Sequence, residues 1–295
     1  MQPKFDFQRE KNDIRSEQTG EDVHTIFNSV FDVQLATSPE DINKVFEVRY
    51  QVYCIDRHFE DPDSFLDKRE HDAYDLRSAH GLIRHRLTGD SVAAVRLVMA
   101  GDHPEQADFP MEGPCIHQMD PQAQRAVAEA RREHIAEISR MAVSREFRRR
   151  LNENKSVSGI SEPAYYCDSE NGRRAMPYIS LGLFSAILQM SVKHGITHWM
   201  AAMEPAQLRL LKRFGVEFDH VGPVLEYHGR RRPAFTEAAS LIEGIRKRRP
   251  DVWSLVTDSG RYLPAQPNTN HRPNETKIAW APRPSDSELR PALLA

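Results

Sequence analysis

Three arginines, each in an otherwise apolar stretch, constrain the fold of this chain more than any other feature. Arg96 is the single charge in SVAAVRLVMA (91–100), a run that is apolar on both faces, as a central strand is. Arg49 lies on the apolar face of a helix predicted over 38–56, and Arg140 lies in IAEISRMAV (135–143). Arg49 alone has an alternative, in which its stem covers the core and its head reaches water. Because an isolated buried ion is strongly unfavourable, the fold must bring carboxylates to these guanidinium groups.

The acidic partners are concentrated in one short segment. EHDAYD (70–75) supplies Glu70, Asp72 and Asp75, and Glu137 precedes Arg140 by three residues. This pattern predicts one buried network that joins the helix, the 70–75 segment and two core strands; the alternative is three unrelated local ion pairs. Four acids against three arginines leave one negative charge over, which would hold a substrate ammonium group or act as a base.

A metal site is a second interpretation of E-x-D-x-x-D, because hard cations bind clustered carboxylates. The three arginines compete for the same oxygens, so we predict no metal. The histidines are scattered, and Cys54, Cys115 and Cys167 are too widely spaced for a zinc motif or a disulfide framework. We interpret the cysteines as incidental to the chemistry, the alternative being a nucleophilic role. Their usage fits a reduced, cytoplasmic setting.

Length and charge limit the remaining possibilities. A chain of 295 residues with 39% hydrophobic residues is long enough to bury a sizeable core, and a net charge of −3 argues against a dedicated nucleic-acid-binding protein. No secretory signal or membrane-spanning apolar run is visible, so we expect no stable membrane insertion. We predict a flexible N-terminus (1–22), one domain (23–262) with an inserted loop (151–177), and a disordered proline-rich tail (263–295).

The periodicity predicts an α/β (α+β) fold with a mixed, mostly antiparallel central sheet. Ser38 is a natural N-cap for helix 38–56, and Thr88-Gly89-Asp90 is a turn between two strands, 78–87 and 91–100. Downstream we predict an apolar helix (178–195), a strand (196–203), a helix (204–215), two short strands and a last helix (about 236–247).

Periodicity alone leaves IAEISRMAV open between helix and strand. On a helix, Glu137 and Arg140 form a routine ion pair. On a regular strand they point to opposite faces, and on a strand with a bulge between them they share a face.

The charged residues, taken in chain order, resemble those of a known family. The chain resembles the acyl-homoserine-lactone synthases, which are members of the GNAT acyltransferase superfamily. The resemblance rests on R49-x3-Y53-x5-F59, E70-x-D72-x2-D75, Arg96 on a strand and E137-x2-R140. The similarity covers residues 38–145, whereas residues 178–232 agree in element order. Tyr53 stands where that family has Phe, and Phe59 where it has Trp, which changes the acceptor pocket.

A closer resemblance rests on VFEVRYQVYC, EHDAYD and EISRMAVSREFRRR. These stretches are similar to the acyltransferases associated with PEP-CTERM/exosortase systems and to long-chain N-acyl amino acid synthases. The resemblance implies a GNAT-like three-layer sandwich in which IAEISRMAV is the bulged fourth strand. It also implies an acyl thioester donor on acyl carrier protein or coenzyme A, a small amine acceptor, and no permanently bound cofactor. The glycine-containing coenzyme A loop of the family reads REFRRRLN here, which weakens the case for ordinary acetyl coenzyme A.

The resemblance further implies roles for individual residues. Glu70 and Glu137 are the candidate bases, and backbone N–H groups near residues 141–144 polarise the thioester carbonyl and stabilise the oxyanion. The expected substrate-binding residues are Arg49, Tyr53, Phe59, Asp72, Asp75, Arg96, Arg140, Met141 and Val143. Acyl carrier proteins are acidic, so the expected carrier-docking residues are Arg148, Arg149 and Arg150.

Two questions stay open at this point. The apolar helix over 178–195 is either core alone or also the wall of an acyl tunnel through Leu181, Phe184, Ile187 and Leu188. The function is an N-acyltransferase acting on an amino acid or similar acceptor, with two alternatives: an acyl-homoserine-lactone synthase that uses S-adenosylmethionine, and a catalytically inactive binding protein of the same fold.

Overall fold

The computed structural model describes residues 22–101, 108–144 and 170–264. Its helices are α1 (Val23–Val30), α2 (Pro39–Tyr50), α3 (Glu112–Cys115), α4 (Pro121–Glu129), α5 (Glu170–Ala175), α6 (Ile179–His194), α7 (Pro205–Arg213), α8 (Ala238–Arg248) and α9 (Pro250–Thr257). Its strands are β1 (Phe31–Ala36), β2 (Ser78–His85), β3 (Ser91–Met99), β4 (Ile135–Val143), β5 (His198–Met203), β6 (Leu225–Glu226) and β7 (Arg230–Glu237). None of the helices in these ranges combines the length and the apolar character needed to cross a bilayer.

One seven-stranded sheet, in the order β1-β2-β3-β4-β5-β7-β6, forms the centre of the molecule. Every neighbouring pair is antiparallel except β4 and β5, which run parallel. The predicted mixed, mostly antiparallel sheet is therefore confirmed. The β4–β5 pairing extends only from Ile135 to Ile138 on β4, although β4 continues to Val143. The two strands therefore diverge about halfway along β4, and a cleft opens between them.

Helices cover both faces of the sheet, which confirms the predicted three-layer sandwich. On one face α2, through Val45 and Val48, packs onto the buried side of β2 to β4, and Val52 of the turn that follows α2 joins the same cluster. On the other face α6 lies in the largest core cluster together with residues of α1 and α9. This helix comes very close to β2, because a Cβ atom added at Gly81 would lie 2.6 Å from Cβ of Ala186. Gly81 therefore fixes the spacing of one layer of the sandwich.

The helix predicted over 38–56 changes its winding before its end. Ser38 caps α2 as expected, since its Oγ accepts from the N–H of Asp41 at 3.1 Å. Residues Gln51–Asp56 then form a π-helical turn rather than more α-helix. The carbonyl of Tyr53 accepts from the N–H groups of Phe59 and Glu60, at 2.8 and 3.2 Å. The wider turn thereby brings Tyr53 and Phe59 together, with ring centroids 6.3 Å apart.

Some elements differ from the sequence predictions. The apolar helix, the strand after it and the Gly195 cap are as predicted, with Gly195 at φ +67°. Helix α1 and strand β1 were missed, as was α9. The segment expected to be an irregular loop up to residue 177 is helical from Glu170, so that part of the prediction was wrong. The rest of the predicted loop, the predicted N-terminal segment and nearly all of the predicted tail lie outside the described residues.

Candidate active site

The three arginines and three of the four acids form one closed structure, which we call the arginine–carboxylate ring. Each arginine bridges two carboxylates and each carboxylate bridges two arginines. The ring runs through Arg49, Glu70, Arg140, Asp72, Arg96 and Asp75, and returns to Arg49. With three positive and three negative members, it is balanced. The single-network prediction is therefore confirmed, and three separate ion pairs are excluded.

Arg49 is the most completely enclosed member of the ring, because its side chain has no exposed surface. Its Nε donates to Oε2 of Glu70 at 2.6 Å, and its two terminal nitrogens donate to the two oxygens of Asp75 at 2.6 and 3.1 Å. Burial by itself lowers the pKa of Arg49, but Glu70 and Asp75 outweigh this effect and raise it. This side chain therefore stays charged and does not snorkel to water.

The 70–75 segment is shaped by its own acids. Asp72 and Asp75 form a capping box around the short 3-10 helix Ala73–Arg77, in which Asp72 accepts from the N–H of Tyr74 and Asp75 from the N–H of Asp72. Burial alone would raise the pKa of Asp75. Hydrogen bonds from Arg49 and the charges of Arg49 and Arg96 prevail, and hold that pKa well below its usual range.

Strand β4 carries the bulge that the sequence left open. Arg96 lies opposite Ser139 and Ala94 opposite Ala142, so one residue of β3 faces two of β4, Arg140 and Met141. Arg140 has φ +49°, a conformation that is rare outside glycine. The bulge turns its side chain onto the face of the ring, where its Nε donates to Oε1 of Glu70 at 3.2 Å. Glu137, Ser139 and Arg140 consequently share one face of the sheet.

A cleft of about 350 Å³ opens where β4 and β5 diverge, and it runs alongside the ring. Its walls come from the π-helical turn, the outer half of β4, the start of α7 and the β6–β7 hairpin. The sequence-predicted residues that line it are Tyr53, Phe59, Arg96, Glu137, Arg140, Met141 and Val143.

Glu137 is the buried acid of this cleft, with 3% of its surface exposed. Its Oε2 accepts from the N–H of Met111 at 2.8 Å, and it belongs to none of the ion pairs of the ring. Burial raises the pKa of Glu137 to about 8, while the Met111 N–H and the charge of Arg96 act in the opposite direction. Burial also raises the pKa of the neighbouring Tyr227, and Glu137 adds to that effect. A carboxyl group in this state titrates close to neutral pH.

Backbone N–H groups of β4 also face the cleft. The N–H of Ser144 donates to the carbonyl of Val92 on β3 at 2.9 Å. Successive N–H groups of a strand point to opposite sides, so the N–H of Val143 points away from β3, toward the side where β5 has diverged. This orientation is the one expected of an oxyanion donor.

Several predicted site residues lie away from the cleft. Glu70 is 1% exposed, its oxygens are occupied by Arg49 and Arg140, and it does not line the cleft. We therefore revise the prediction that Glu70 is a base. Arg49, Asp72 and Asp75 likewise belong to the ring and not to the lining, so direct substrate contact is not supported for them. The carrier-docking candidates Arg148, Arg149 and Arg150 lie outside the described residues.

The sequence reasoning missed four charged residues of the cleft, namely Arg57, Glu60, Glu204 and Arg231. Glu60 accepts from Nη2 of Arg140 at 2.9 Å, which adds a carboxylate at the edge of the ring. Glu204 pairs with Arg231 at 2.8 Å across the cleft wall. Arg231 was not singled out, although strand alternation within Arg230-Arg231-Arg232 was a signal that the middle arginine points to the other face from its neighbours.

The cysteines, the apolar helix and a metal site are the remaining candidates from the sequence. Burial raises the pKa of both Cys54 and Cys115 to about 11, so neither is a ready nucleophile; Cys167 lies outside the described residues. The four residues proposed for an acyl tunnel are fully buried in the core and absent from the cleft lining. Within the described ranges, no group of three or more His, Cys, Asp or Glu side chains is placed to hold a metal ion.

Comparisons with known proteins agree with this architecture. Residues 48–155 match the model of the acetyltransferase (GNAT) domain. Among curated proteins, none matches the chain. The solved structures similar to this chain include the acyl-homoserine-lactone synthase LasI, with 17% identity, coverage of 74% of this chain and 95% of that chain, and a TM-score of 0.49.

Two further solved structures are similar to this chain, and each is a synthase of an N-acyl compound. BjaI, a coenzyme A-dependent acyl-homoserine-lactone synthase solved with S-adenosylmethionine and isopentyl-CoA, shares 18% identity over 78% of this chain and 88% of its own, with a TM-score of 0.47. FeeM, an N-acyl amino acid synthase from uncultured soil microbes, shares 10% identity over 72% of this chain and 93% of its own, with a TM-score of 0.45.

The segment matched by the GNAT domain model contains the whole arginine–carboxylate ring, the bulge of β4 and Glu137. On this match, residues 48–155 contain an acetyltransferase (GNAT) domain, which supports an acyltransferase activity.

Proposed function

We propose that the protein is an N-acyltransferase that moves a medium or long acyl chain from a thioester to the amine of an amino acid or a similar small acceptor. The observation that carries the proposal is Glu137: a buried carboxyl group in the cleft, outside the ion pairs of the ring, with a pKa of about 8. The α-ammonium group of a free amino acid has a pKa above the value of about 8 that is typical of a peptide N-terminus. A carboxylate with a raised pKa is a stronger base than an ordinary glutamate, so Glu137 is suited to take the proton that must leave before such an amine becomes a nucleophile.

The proposed reaction needs no covalent enzyme intermediate. Glu137 takes one proton from the ammonium group, and the nitrogen lone pair attacks the thioester carbonyl carbon. The N–H of Val143 donates to the oxyanion of the tetrahedral intermediate. The C–S bond then breaks, and the attacking nitrogen gives up its second proton to the thiolate. Glu137 returns its proton to water, so the products are an amide and a free thiol.

The walls of the cleft support an acceptor of modest size beside an acyl chain. Tyr53 and Phe59 form an aromatic surface, and the hydroxyl of Tyr53 donates to the carbonyl of Met141 at 3.4 Å. Met141, Val143, Met203 and Leu210 add apolar side chains to the same lining. An aliphatic chain packs favourably against such side chains. Tyr53 and Phe59 replace the Phe and Trp of acyl-homoserine-lactone synthases, which disfavours the use of S-adenosylmethionine.

The donor and the cellular setting are the least constrained parts of the proposal. REFRRRLN lacks the glycines of an ordinary coenzyme A loop and is basic, which favours an acidic acyl carrier protein docking through Arg148, Arg149 and Arg150. Such donors occur in the cytoplasm, where we expect the protein to work. The resemblance to enzymes of PEP-CTERM/exosortase systems makes such a system the proposed pathway.

The test is an assay of the purified protein with dodecanoyl thioesters of acyl carrier protein and of coenzyme A, each with a panel of amino acids and with S-adenosylmethionine. Thiol release is followed with a thiol reagent, and products are identified by mass spectrometry. Acceptor-dependent thiol release with a matching N-dodecanoyl amino acid is the expected result. An acyl-homoserine lactone would identify the alternative synthase activity, and the absence of any amide with both donors would favour a binding protein.

A further inference from the structure

Two arginines that the arginine–carboxylate ring does not use line the cleft: Arg57, which is exposed, and Arg231, which is largely buried. Arg231, on β7, lines the cleft together with Glu137 and Phe59. Its side chain is 13% exposed, so most of the guanidinium group is removed from water. A largely buried guanidinium group requires acceptors for its five N–H donors, and planar anions satisfy it best.

The two ring arginines that line the cleft are already occupied. Arg96 donates to Ser139, Asp72 and Asp75, at 3.0, 2.6 and 3.0 Å. Two aspartates already compensate the charge of this guanidinium group, whose side chain is 1% exposed, so a substrate carboxylate here would add an uncompensated negative charge in a buried place, which is strongly unfavourable.

Arg140 is in the same situation as Arg96. It contacts Glu60 at 2.9 Å, Glu70 at 3.1 Å and Asp72 at 3.5 Å. Its guanidinium group is therefore held by protein carboxylates on more than one side. Neither of the two ring arginines in the cleft is suited to hold an anionic substrate group.

Arg231 is held much more loosely. Within residues 22–101, 108–144 and 170–264, its contacts are one ion pair, from Nη1 to Oε1 of Glu204 at 2.8 Å, and the ring of Phe59, whose centroid is 5.7 Å from its Cζ. These contacts fix the plane of the guanidinium group and leave donors on it for a ligand. Glu204 is itself 36% exposed at the cleft wall, so the pair is not a sealed one.

Strand alternation singles out Arg231 from the two arginines beside it. Arg230 is exposed, and Arg232 donates from Nε to the carbonyl of Gly222 at 3.2 Å, outside the cleft. Arg230 is therefore a matched control: the same residue type on the same strand, one position away and on the other face.

We propose that Arg231 binds the carboxylate of the acceptor, which makes the acceptor an α-amino acid and not a simple amine. The carboxylate would accept two hydrogen bonds from the open side of the guanidinium group, while Phe59 covers the adjacent carbon atoms. The amine would then be directed into the cleft that Glu137 lines. This inference rests on the proposed function, because it assigns the acceptor of that same reaction.

A phosphate group of the acyl donor is an anion that would use the same donors. The two sources are separated by where the loss falls when Arg231 is changed. A role in acceptor binding affects ligands that carry the amino-acid carboxylate, whereas a role in donor binding affects coenzyme A equally with every acceptor.

The experiment measures binding of N-dodecanoylglycine, the smallest product of this class, and of N-methyldodecanamide, which lacks the carboxylate, by titration calorimetry. Wild-type protein is expected to bind the acid about 10- to 100-fold more tightly, the range of a charge-assisted bidentate contact. Arg231→Gln is expected to abolish the preference and Arg230→Gln to retain it. Arg231→Lys keeps the charge without the planar fork, so it is expected to lose part of the preference, and it serves if Arg231→Gln does not fold.

Either of two results overturns the inference: an unchanged preference in Arg231→Gln, or a loss of coenzyme A affinity in that variant with the preference for the acid retained. Absence of acid binding by the wild-type protein also overturns it. Because binding needs no turnover, the inference and the proposed reaction fail separately. An Arg231-dependent preference without amide formation removes only the reaction, and amide formation without that preference removes only the role of Arg231.

Discussion

Asp75 and Glu137 are carboxyl groups held within the same molecule in opposite electrostatic states. The side chain of Asp75 is 8% exposed and is enclosed by guanidinium groups, so its charged form prevails far into acid. Glu137, equally removed from water, accepts one backbone N–H and lies outside the ion pairs, so its pKa rises to about 8. Burial disfavours charge in both places, and the difference lies in whether a cation compensates.

The contrast separates the tasks of the two regions. A fully paired ring has no capacity left for a proton or a substrate, so it serves to fix geometry. Buried ion pairs are often no more stabilising than apolar side chains of the same volume, so stability alone does not explain the ring. Arg96 and Arg140 belong to the ring and also line the cleft. The ring therefore holds one wall of the cleft in place, and Glu137 is left free to change its protonation state.

Glu137→Gln tests the chemical half of this contrast and has the largest expected effect. Glutamine keeps the shape and still accepts from the Met111 N–H, but it takes no proton from the acceptor. We expect kcat to fall about 100- to 10,000-fold, the usual contribution of a general base, with a melting temperature equal to or above that of the wild-type protein, because glutamine never carries the buried charge. The measurement is steady-state thiol release alongside a thermal melt.

The control for this variant is Glu133→Gln, which changes an exposed acid two residues before β4. Its rate and its melting temperature are expected to match those of the wild-type protein. Turnover of Glu137→Gln at the wild-type rate would remove Glu137 from the base role and with it the main support for the proposed reaction.

Arg49→Met tests whether the ring is needed for the stability of the fold. Methionine fills much of the volume but leaves Glu70 and Asp75 each short of a cation in a buried place. Loss of one partner of a buried pair costs about 3–5 kcal/mol, so we expect the free energy of unfolding to fall by about that amount. Urea denaturation of both proteins measures it.

The matched change is Arg246→Met on α8, where an exposed arginine pairs with Glu243 three residues away. Solvent screens an exposed pair of this kind, so this variant is expected to be nearly as stable as the wild type. Equal losses in the two variants would show that the ring has no special structural role.

The ring could be predicted from the sequence because its arginines interrupt apolar stretches. An arginine in an apolar strand is conspicuous, and the need to compensate its charge points to carboxylates elsewhere in the chain. Glu60 broke no pattern, since it lies in a polar loop, and only the folded π-helical turn brings it to Arg140. The distinction between Glu70 and Glu137 was equally invisible, because both are acids near arginines in the sequence and their surroundings differ only in three dimensions.

The prediction of the fold from sequence was limited in the same way, to features that depend on local sequence. The mixed sheet and its covering helices followed from periodicity, which depends on local sequence. Helix α1 and strand β1 were missed because they are short and follow each other without an intervening turn signal. The parting of β4 from β5, which creates the cleft, depends on packing between distant segments, and no local pattern encodes it.

The pH dependence of the free energy of unfolding also distinguishes Glu137 from Asp75, and the expected change is smaller than that of Arg49→Met. Glu137 has a raised pKa in the folded protein, so its contribution to stability is complete below the ordinary glutamate pKa and is lost as pH rises through about 8. From pH 6 to pH 7 this amounts to a decline of about 1 kcal/mol in the free energy of unfolding. Asp75, with a lowered pKa, acts in the opposite sense and loses its contribution only in acid. The quantity to measure is the wild-type value minus that of Glu137→Gln at each pH, and a flat difference would mean that Glu137 is ionised throughout.

The smallest effect on the rate is expected from alkylation of the two buried cysteines, one near the ring and one near Glu137. Cys54 is buried on the π-helical turn beside the ring, and Cys115 is buried on the segment that presents Met111 to Glu137. With pKa values of about 11, both thiols are almost wholly protonated at pH 7.5, and alkylation requires the thiolate. In a Cys167→Ser background, iodoacetamide at that pH is expected to leave the rate of thiol release within about twofold of the untreated rate, because fewer than about one thiol in a thousand is reactive at any moment. Rapid inactivation that Cys54→Ala or Cys115→Ala prevents would reveal a thiolate in the site, and a direct attack of the amine on the thioester would then have to give way to transfer through an acyl-cysteine.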